Sequence, residues 1–280
     1  MIDLHVHSTY SDGTLTPEEL IRLAEEIHLE AMALCDHNTV AGLPRFLAAA
    51  EGKDLLAIPG IEFSTDYMGT ELHILGLDVK PEYYAAVTEK VNWMLLQKEK
   101  SNRDLVDALK AAGVDLDYDE IVAGTPSGQV NRAVIAAEMV RRGCCDSVKD
   151  CFKQWLSPKC GYYIPPARLD VFEVIRFIRS IGAVSVLAHP FLNLDEAGLR
   201  QFLTEAKPAG LDAMEVYYPK FSREETEMAC AIAREFGLAF SGGSDFHGDN
   251  KPDTQLGTGR GELCVPYSLL ETIFCGETIK

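Results

Sequence analysis

The sequence predicts an α/β protein whose functional site is built from histidines and carboxylates at strand ends. Two observations carry that expectation. Outside residues 81–157, short apolar runs of strand character alternate with helical stretches, the pattern of an α/β chain. Of the seven histidines, six fall at or beside the ends of those apolar runs. The exception is His28, at the end of a helix, where a solvated side chain is expected.

The elements follow in order. Met1–Leu4 is a short apolar strand that runs into His5-Val6-His7 and then Ser8-Thr9-Tyr10-Ser11-Asp12-Gly13. Alternate strand side chains share a face, so His5 and His7 reach one metal ion. Asp12, just past the turn, reaches a second. Neutral imidazole and carboxylate suit divalent Zn, Mn or Fe. Thr16-Pro17-Glu18-Glu19 reads as a capping box with proline in the first helical turn, opening a helix to about His28. Ala31–Cys35 is a buried strand leading into Asp36-His37-Asn38, and Leu55–Pro59 leads to Gly60-Ile61-Glu62-Phe63. The alternating stretch 71–77 carries His73.

Between Pro81 and Pro158 the strand signal disappears. Helices are expected over Val91–Ala112, closed by Gly113, over Asn131–Arg142, closed by Gly143, and over Ser147–Leu156. Strands resume at Tyr162–Ile164. Ala183–Ala188 is a continuous apolar strand ending at His189-Pro190. Glu215–Tyr218 ends another, where Tyr217 or Tyr218 either walls a pocket or packs in the core. Ser222–Glu225 is a second capping box, for a helix that stops at Gly237. Leu238–Phe240 then leads through Ser241–Ser244 to Asp245-Phe246-His247. A single His-x-His pair is weak evidence of metal. Six histidines at strand ends, with Asp and Glu beside them, read as a metal or catalytic cluster.

These residues carry a resemblance. The succession His5-x-His7, Asp12, Asp36-His37, Glu62, His73, His189-Pro190 and Ser244-Asp245-x-His247 is similar to the PHP (polymerase and histidinol phosphatase) family. Its free-standing bacterial metal-dependent phosphoesterases are the nearest in pattern. The resemblance runs from Met1 to about Gly248, in the family's order. It implies a distorted (β/α)7 barrel at 1–80 and 158–280, with a helical insertion at 81–157 packed over the barrel mouth. It also implies two to three divalent ions (Mn, Fe or Zn) at the C-terminal ends of the strands. In that assignment His5, His7, Glu62 and Asp245 hold one ion. Glu62 bridges to a second, completed by His73 and His189, and Asp12, His37 and His247 hold a third. Glu62, Asp245 and His189 are the residues it marks as catalytic.

Bulk properties bound the function. Apolar residues make up 47% of the 280, enough for a sizeable core. The N-terminus has no basic segment before an apolar run, and no apolar stretch approaches a membrane span, so a cytoplasmic enzyme is expected. None of the eight cysteines forms a C-x-x-C pair, and they read as reduced thiols. Four crowd into Cys144–Cys160, at a spacing foreign to zinc ribbons and fingers. The net charge of −17 argues against a groove tracking long nucleic acid. A small phosphorylated substrate is compatible with it, because bound cations set the local field of a pocket.

The chemistry follows from such a ligand set. Closely spaced divalent ions share a water and lower its pKa from about 15.7 toward about 7, while binding phosphate oxygens. Neither a G-x-S-x-G elbow nor a Ser-His-Asp triad is evident. The expected reaction is metal-assisted phosphoester hydrolysis. Similar phosphoesterases carry Arg-x-His in the stretch matching Gly128–Ala136. Here Arg132 is kept and Val134 stands where the histidine would be. Arg132 is read as a phosphate clamp or as a surface arginine at a helix start, and Lys159 as a second phosphate contact. Three functions remain open. One is a small-molecule phosphoesterase, either a nucleoside 3′,5′-bisphosphate phosphatase or a cyclic phosphoribose phosphodiesterase. The others are a 5′-3′ exoribonuclease on short RNA and a non-catalytic PHP module.

Overall fold

The computed structural model describes residues 1–125 and 130–275. The chain divides into two compact units, Met1–Glu89 with Leu169–Lys280, and Lys90–Arg168.

The first unit is a barrel-shaped sheet. Its strands are β1 (Ile2–Val6), β2 (Ala31–Leu34), β3 (Leu56–Tyr67), β4 (Thr70–Leu77), β5 (Leu169–Asp170), β6 (Val184–Leu187), β7 (Ala213–Tyr217) and β8 (Ala239–Gly242). Neighbours run β1-β2-β3-β4-β6-β7-β8, with the short β5 beside the end of β3. Closure of β8 on β1 comes from two backbone bonds, His7 N to Phe246 O at 3.0 Å and Asp245 N to His5 O at 2.8 Å. The expected α/β barrel is therefore observed, with seven strands around it.

One strand explains the distortion. β4 is antiparallel to both its neighbours, β3 and β6, whereas the other pairs are parallel. β3 and β4 form a hairpin whose two-residue turn, Met68-Gly69, has both φ angles positive, 52° and 85°. That geometry matches the right-handed twist of the flanking strands. β3 therefore carries Glu62 up one side of the hairpin, and β4 brings His73 back beside it, opposite Ser64 in register.

The helices are α1 (Pro17–Glu26), α2 (Leu43–Ala50), α3 (Tyr84–Ala111), α4 (Tyr118–Ala123), α5 (Arg132–Arg141), α6 (Val148–Cys151), α7 (Val171–Ser180), α8 (Glu196–Ala209), α9 (Arg223–Glu235) and α10 (Leu269–Cys275). Both capping boxes form as expected, at Thr16/Glu19 and Ser222/Glu225. α7 buries Val171, Val174, Ile175 and Ile178, an i, i+3, i+4, i+7 stripe. His28 is exposed, with a φ of 58° just past α1.

The second unit has its own apolar core, including Leu105, Leu109, Ile135, Met139 and Leu156. Its helix starts are capped by Asp117, Asn131 and Ser147. Its limits differ from 81–157 at both ends. At the start, α3 begins at Tyr84, within the first unit, and passes into the second. At the end, Tyr163 packs into the second unit's core and the Ile164 carbonyl accepts the Ser101 hydroxyl at 2.5 Å. The strand expected at Tyr162–Ile164 is absent; that segment forms no ladder. Tyr163 is drawn into this core with Tyr162 packed against it, Ile164 stays exposed, and Pro165-Pro166 then supply no N–H groups. The helix expected over Ser147–Leu156 is α6, which widens into a π-turn at Phe152–Leu156. Gly128 and Gln129, in the stretch read for a phosphate clamp, lie outside the described residues.

Candidate metal centre

Glu62 organises the site. It is fully buried, and five imidazoles surround its two oxygens. Oε1 lies 2.8 Å from His73 Nδ1 and 3.2 Å from His189 Nε2. Oε2 lies 3.0 Å from His37 Nδ1 and 3.3 Å from both His5 Nε2 and His7 Nε2. The ends of six strands converge to make this cluster. β1 brings His5 and His7, the segment after β2 brings His37, and β3 and β4 bring Glu62 and His73. His189 follows β6, and Asp245 and His247 follow β8.

A second focus adjoins the first. Asp245 Oδ1 lies 3.4 Å from His7 Nε2 and 3.8 Å from His5 Nε2. Asp12 approaches His247 Nε2 at 3.2 Å, His37 Nε2 at 3.8 Å and His7 Nδ1 at 3.9 Å. All nine residues expected as ligands, His5, His7, Asp12, His37, Glu62, His73, His189, Asp245 and His247, are thus brought together. Eight of them fall into overlapping groups, His7 with Asp12, His37 and His247, His5 and His7 with Asp245, and His37 and His73 with Glu62, while His189 adjoins through Glu62 Oε1. No cysteine enters such a group among the described residues.

The donor set fits cations. His5 Nε2, both ring nitrogens of His7, His37 Nδ1 and Glu62 Oε2 are buried without a hydrogen-bond partner. Buried polar atoms are ordinarily satisfied, so five orphans in one cluster call for a ligand. Electrostatics agree. Burial opposes charge on His7, yet Asp245 and Glu62 outweigh it and raise the ring to about 9. Burial likewise opposes charge on His73, but Glu62 and then Glu71 raise it to about 10. Burial disfavours the Glu62 carboxylate, yet His37, His5 and His73 hold it well below the usual carboxylate range. The cluster demands positive charge between its rings and carboxylates, which divalent ions supply.

The supporting groups fix which atoms point inward. His5 Nδ1 donates to Glu215 Oε1 at 2.9 Å, leaving Nε2 free. The other Glu215 oxygen accepts the His189 backbone N–H at 2.7 Å. His247 Nδ1 donates to the Asp245 carbonyl at 2.8 Å, again freeing Nε2. Such partners set ring orientation and raise ligand basicity. On Asp245, Oδ2 accepts from Tyr218 Oη at 2.8 Å and Lys251 Nζ at 2.6 Å, which leaves Oδ1 for the histidines. Asp36 accepts Ser8 N, Ser8 Oγ and Ser11 Oγ at 2.8, 2.6 and 2.6 Å, and so holds the loop that carries Asp12. Asp3, fully buried, accepts Ser244 N at 2.9 Å and Gly257 N at 2.8 Å behind β8.

The backbone is strained at the same place. His189 and Asp245 adopt positive φ angles of 29° and 54°, sparsely populated conformations for residues with a Cβ. Gly243 permits a close approach: a Cβ there would lie 2.5 Å from both His5 Cβ and His5 N.

Sequence reasoning missed Glu215, Asp3, Lys251 and the role of Tyr218. The signal for two of them was a single carboxylate inside an otherwise apolar strand. Tyr218 is buried and donates to Asp245, so it is both core and cavity wall. Arg132 and Lys159 belong to the second unit. The Arg132 guanidinium stacks 4.1 Å over Tyr163 and 5.6 Å over Phe152, and Nη1 donates to the Leu156 carbonyl at 3.3 Å. It is no plain surface arginine. Lys159 is exposed in a short turn at Pro158–Cys160.

Comparison with known proteins agrees with this geometry. The PHP domain family model matches residues 3–163. A 5′-3′ exoribonuclease of Haemophilus influenzae is 32% identical over 88% of this chain and 89% of its own length. A 3′,5′-nucleoside bisphosphate phosphatase of Chromobacterium violaceum is 27% identical over 91% and 90%. The solved structure of a putative metal-dependent phosphoesterase from Bifidobacterium adolescentis superposes with a TM-score of 0.80 at 27% identity, covering 98% of this chain and 95% of that one. With a family model spanning more than half of its residues, the chain belongs to the PHP domain family.

Proposed function

We propose that this protein is a metal-dependent phosphoesterase acting on a small phosphorylated metabolite or nucleotide. The observation that carries the reading is Glu62, a buried carboxylate enclosed by five imidazoles, each with a ring nitrogen turned toward it. Two or three Mn, Fe or Zn ions fit this donor set. His5, His7, Glu62 and Asp245 would hold one, Glu62, His73 and His189 a second, and Asp12, His37 and His247 a third. When bound, the ions neutralise phosphate oxygens and acidify a water for attack.

The chain's own residues do the rest. Glu215 holds the His5 proton on Nδ1 and the His189 backbone in place, so both rings keep Nε2 turned inward. Tyr218 and Lys251 occupy one Asp245 oxygen, so the other would be left to hold an ion. These supports mean the site needs little reorganisation when the substrate arrives. Arg132 and Lys159 are proposed as substrate contacts. The Arg132 stack and the Leu156 carbonyl leave other guanidinium N–H groups to meet a phosphate.

A nuclease trimming short RNA is the second reading, favoured by the 32% identity of the exoribonuclease relative. The net charge of −17 restricts it to short substrates. Among the described residues no helix is long and apolar enough to cross a membrane. A phosphoester panel with Mn-loaded protein tests both readings. It compares monoesters, nucleoside bisphosphates, cyclic phosphates and 5′-phosphorylated short RNA. Fastest turnover on a small phosphoester supports the first reading, and a preference for RNA ends moves the assignment to the second.

A further inference from the structure

We propose that Lys220 grips an anionic group of the substrate other than the one cleaved, so that the preferred ligand carries a second phosphate. The proposal rests on the phosphoesterase reading. It starts from a cavity of about 260 Å³ beside the cluster. One wall is His37, Glu62, His73, His189 and Asp245. Glu71, Leu192, Asn193, Tyr218, Lys220 and Lys251 complete the lining. Ligand pockets typically run from about 300 to 1,000 Å³, so this one suits a small ligand or one end of a longer one.

The two lysines are differently engaged. Lys251 Nζ is committed to Asp245 Oδ2 at 2.6 Å and serves the cluster. Lys220 has no carboxylate paired with it among the described residues. An unpaired lysine on open surface would mean little. This one, though exposed, lines the cavity that holds the metal ligands, in a chain with 43 acidic and 26 basic residues.

Its placement is also prepared. Lys220 follows Tyr218-Pro219 at the end of β7. Tyr218 is anchored below by Asp245, and the Phe221 N–H closes the turn on the Tyr218 carbonyl at 3.1 Å. The Tyr218 ring lies between those of His189 and Phe221, at 5.4 and 5.2 Å. A turn held at both ends fixes the backbone that carries the ammonium, so only the Lys220 side chain has to be ordered on binding. Ammonium is a compact point charge that suits phosphate oxygens. A grip on a group that does not react is the same in ground and transition states, so its loss appears in KM.

The test compares adenosine 3′,5′-bisphosphate with p-nitrophenyl phosphate, using Mn-loaded wild type, Lys220→Ala and Lys220→Arg. The readout is the ratio of kcat/KM for the bisphosphate to that for the single-phosphate substrate. Lys220→Ala should lower the ratio about 10- to 100-fold, mainly through KM, the range of a charge-assisted contact. Lys220→Arg should restore part of it. A ratio within twofold of wild type overturns the proposal. If wild type cleaves no phosphoester, the parent reading falls and calorimetric binding decides Lys220. Weaker binding of the bisphosphate by tenfold or more, relative to inorganic phosphate, keeps the anion site, and equal weakening or none removes it.

Discussion

Both compact units bury apolar side chains, but among the described residues the barrel unit also buries a cluster of histidines and carboxylates. In the barrel unit Asp3, His5, His7, Glu62 and Glu215 are all fully buried at or behind the strand ends. In the 90–168 unit the core is apolar, and the buried polar side chains there, Ser101 and Asn102, donate to the Ile164 and Val130 carbonyls. Burying charge is costly unless it is paired and hydrogen-bonded. The barrel therefore carries a cluster that its folding does not need, closed by Glu215, Asp3 and Asp36. The helical unit has no such debt. Substitutions in the first region should change metal binding and rate with little loss of fold. Those in the second should first change stability.

The strongest test of this contrast is Glu62→Gln. A neutral amide cannot bridge two cations well, so activity should fall at least about 10²-fold, as when a main electrostatic group is removed. The circular dichroism spectrum should hold, while the melting temperature of the metal-loaded protein should fall, because the imidazoles lose their carboxylate and bound ions are lost. Elemental analysis should show fewer ions per chain. Near wild-type turnover with unchanged metal content would mean that Glu62 is misassigned.

Next in size is Glu215→Gln. Glu215 touches no substrate position; it acts through His5 Nδ1 and the His189 backbone. Loss of such a support typically weakens metal binding about 10- to 100-fold. Chelator competition should show that weakening, and excess Mn should restore most of the rate. A rate loss that excess metal does not restore would place Glu215 elsewhere in the chemistry.

The difference between Glu62 and Glu215 also shows what a sequence discloses. Glu62 was legible because it follows an apolar run at a position that histidines mark in the other runs. The convergence of nine such residues follows from strand ends meeting at one end of a barrel. Glu215 was not legible, since its partner His5 lies 210 residues away and only the β7–β8–β1 neighbourhood joins them. A lone carboxylate in Ala213–Tyr217 reads as an outward-facing charge until that closure is known. The Tyr162–Ile164 strand failed for a related reason. Its two tyrosines are drawn to the helical unit's core, a tertiary demand that local pattern does not contain.

Arg132→Ala carries the contrast into the helical unit. The guanidinium bridges α5 to the 152–163 segment through Tyr163, Phe152 and the Leu156 carbonyl. Losing the stack should lower unfolding free energy by about 1 kcal/mol. A phosphate grip would add a rise in KM of roughly 10-fold or more, with kcat nearly kept. Chemical denaturation and kinetics on the same preparation separate the two. Loss of stability with unchanged KM would leave Arg132 as a packing residue and sharpen the contrast between the units.

The smallest effect is a pH-dependent one on α5. Glu138 receives Arg141 and Arg142: Oε1 accepts Arg141 Nη2 and Arg142 Nε, both at 2.6 Å, and Oε2 accepts Arg141 Nε at 2.7 Å. The Arg141 hydrogen bonds are the main reason that its carboxyl is held down at about 2, against an ordinary 4.5. A depressed folded-state value stabilises the fold above the unfolded value of 4.5, and that stabilisation drains away as pH falls from 4.5 toward 2. Arg141 is largely exposed, so solvent screens the pair and the contribution is about 0.5–1 kcal/mol. Glu138→Gln should therefore lower unfolding free energy by about that much at pH 7. The gap between variant and wild type should close near pH 2 and narrow in 1 M salt, where the screening length is about 3 Å. Urea unfolding at the two pH values measures it. A gap that persists at low pH would show that the side chain acts through packing, and the charge account of this helix end would fail.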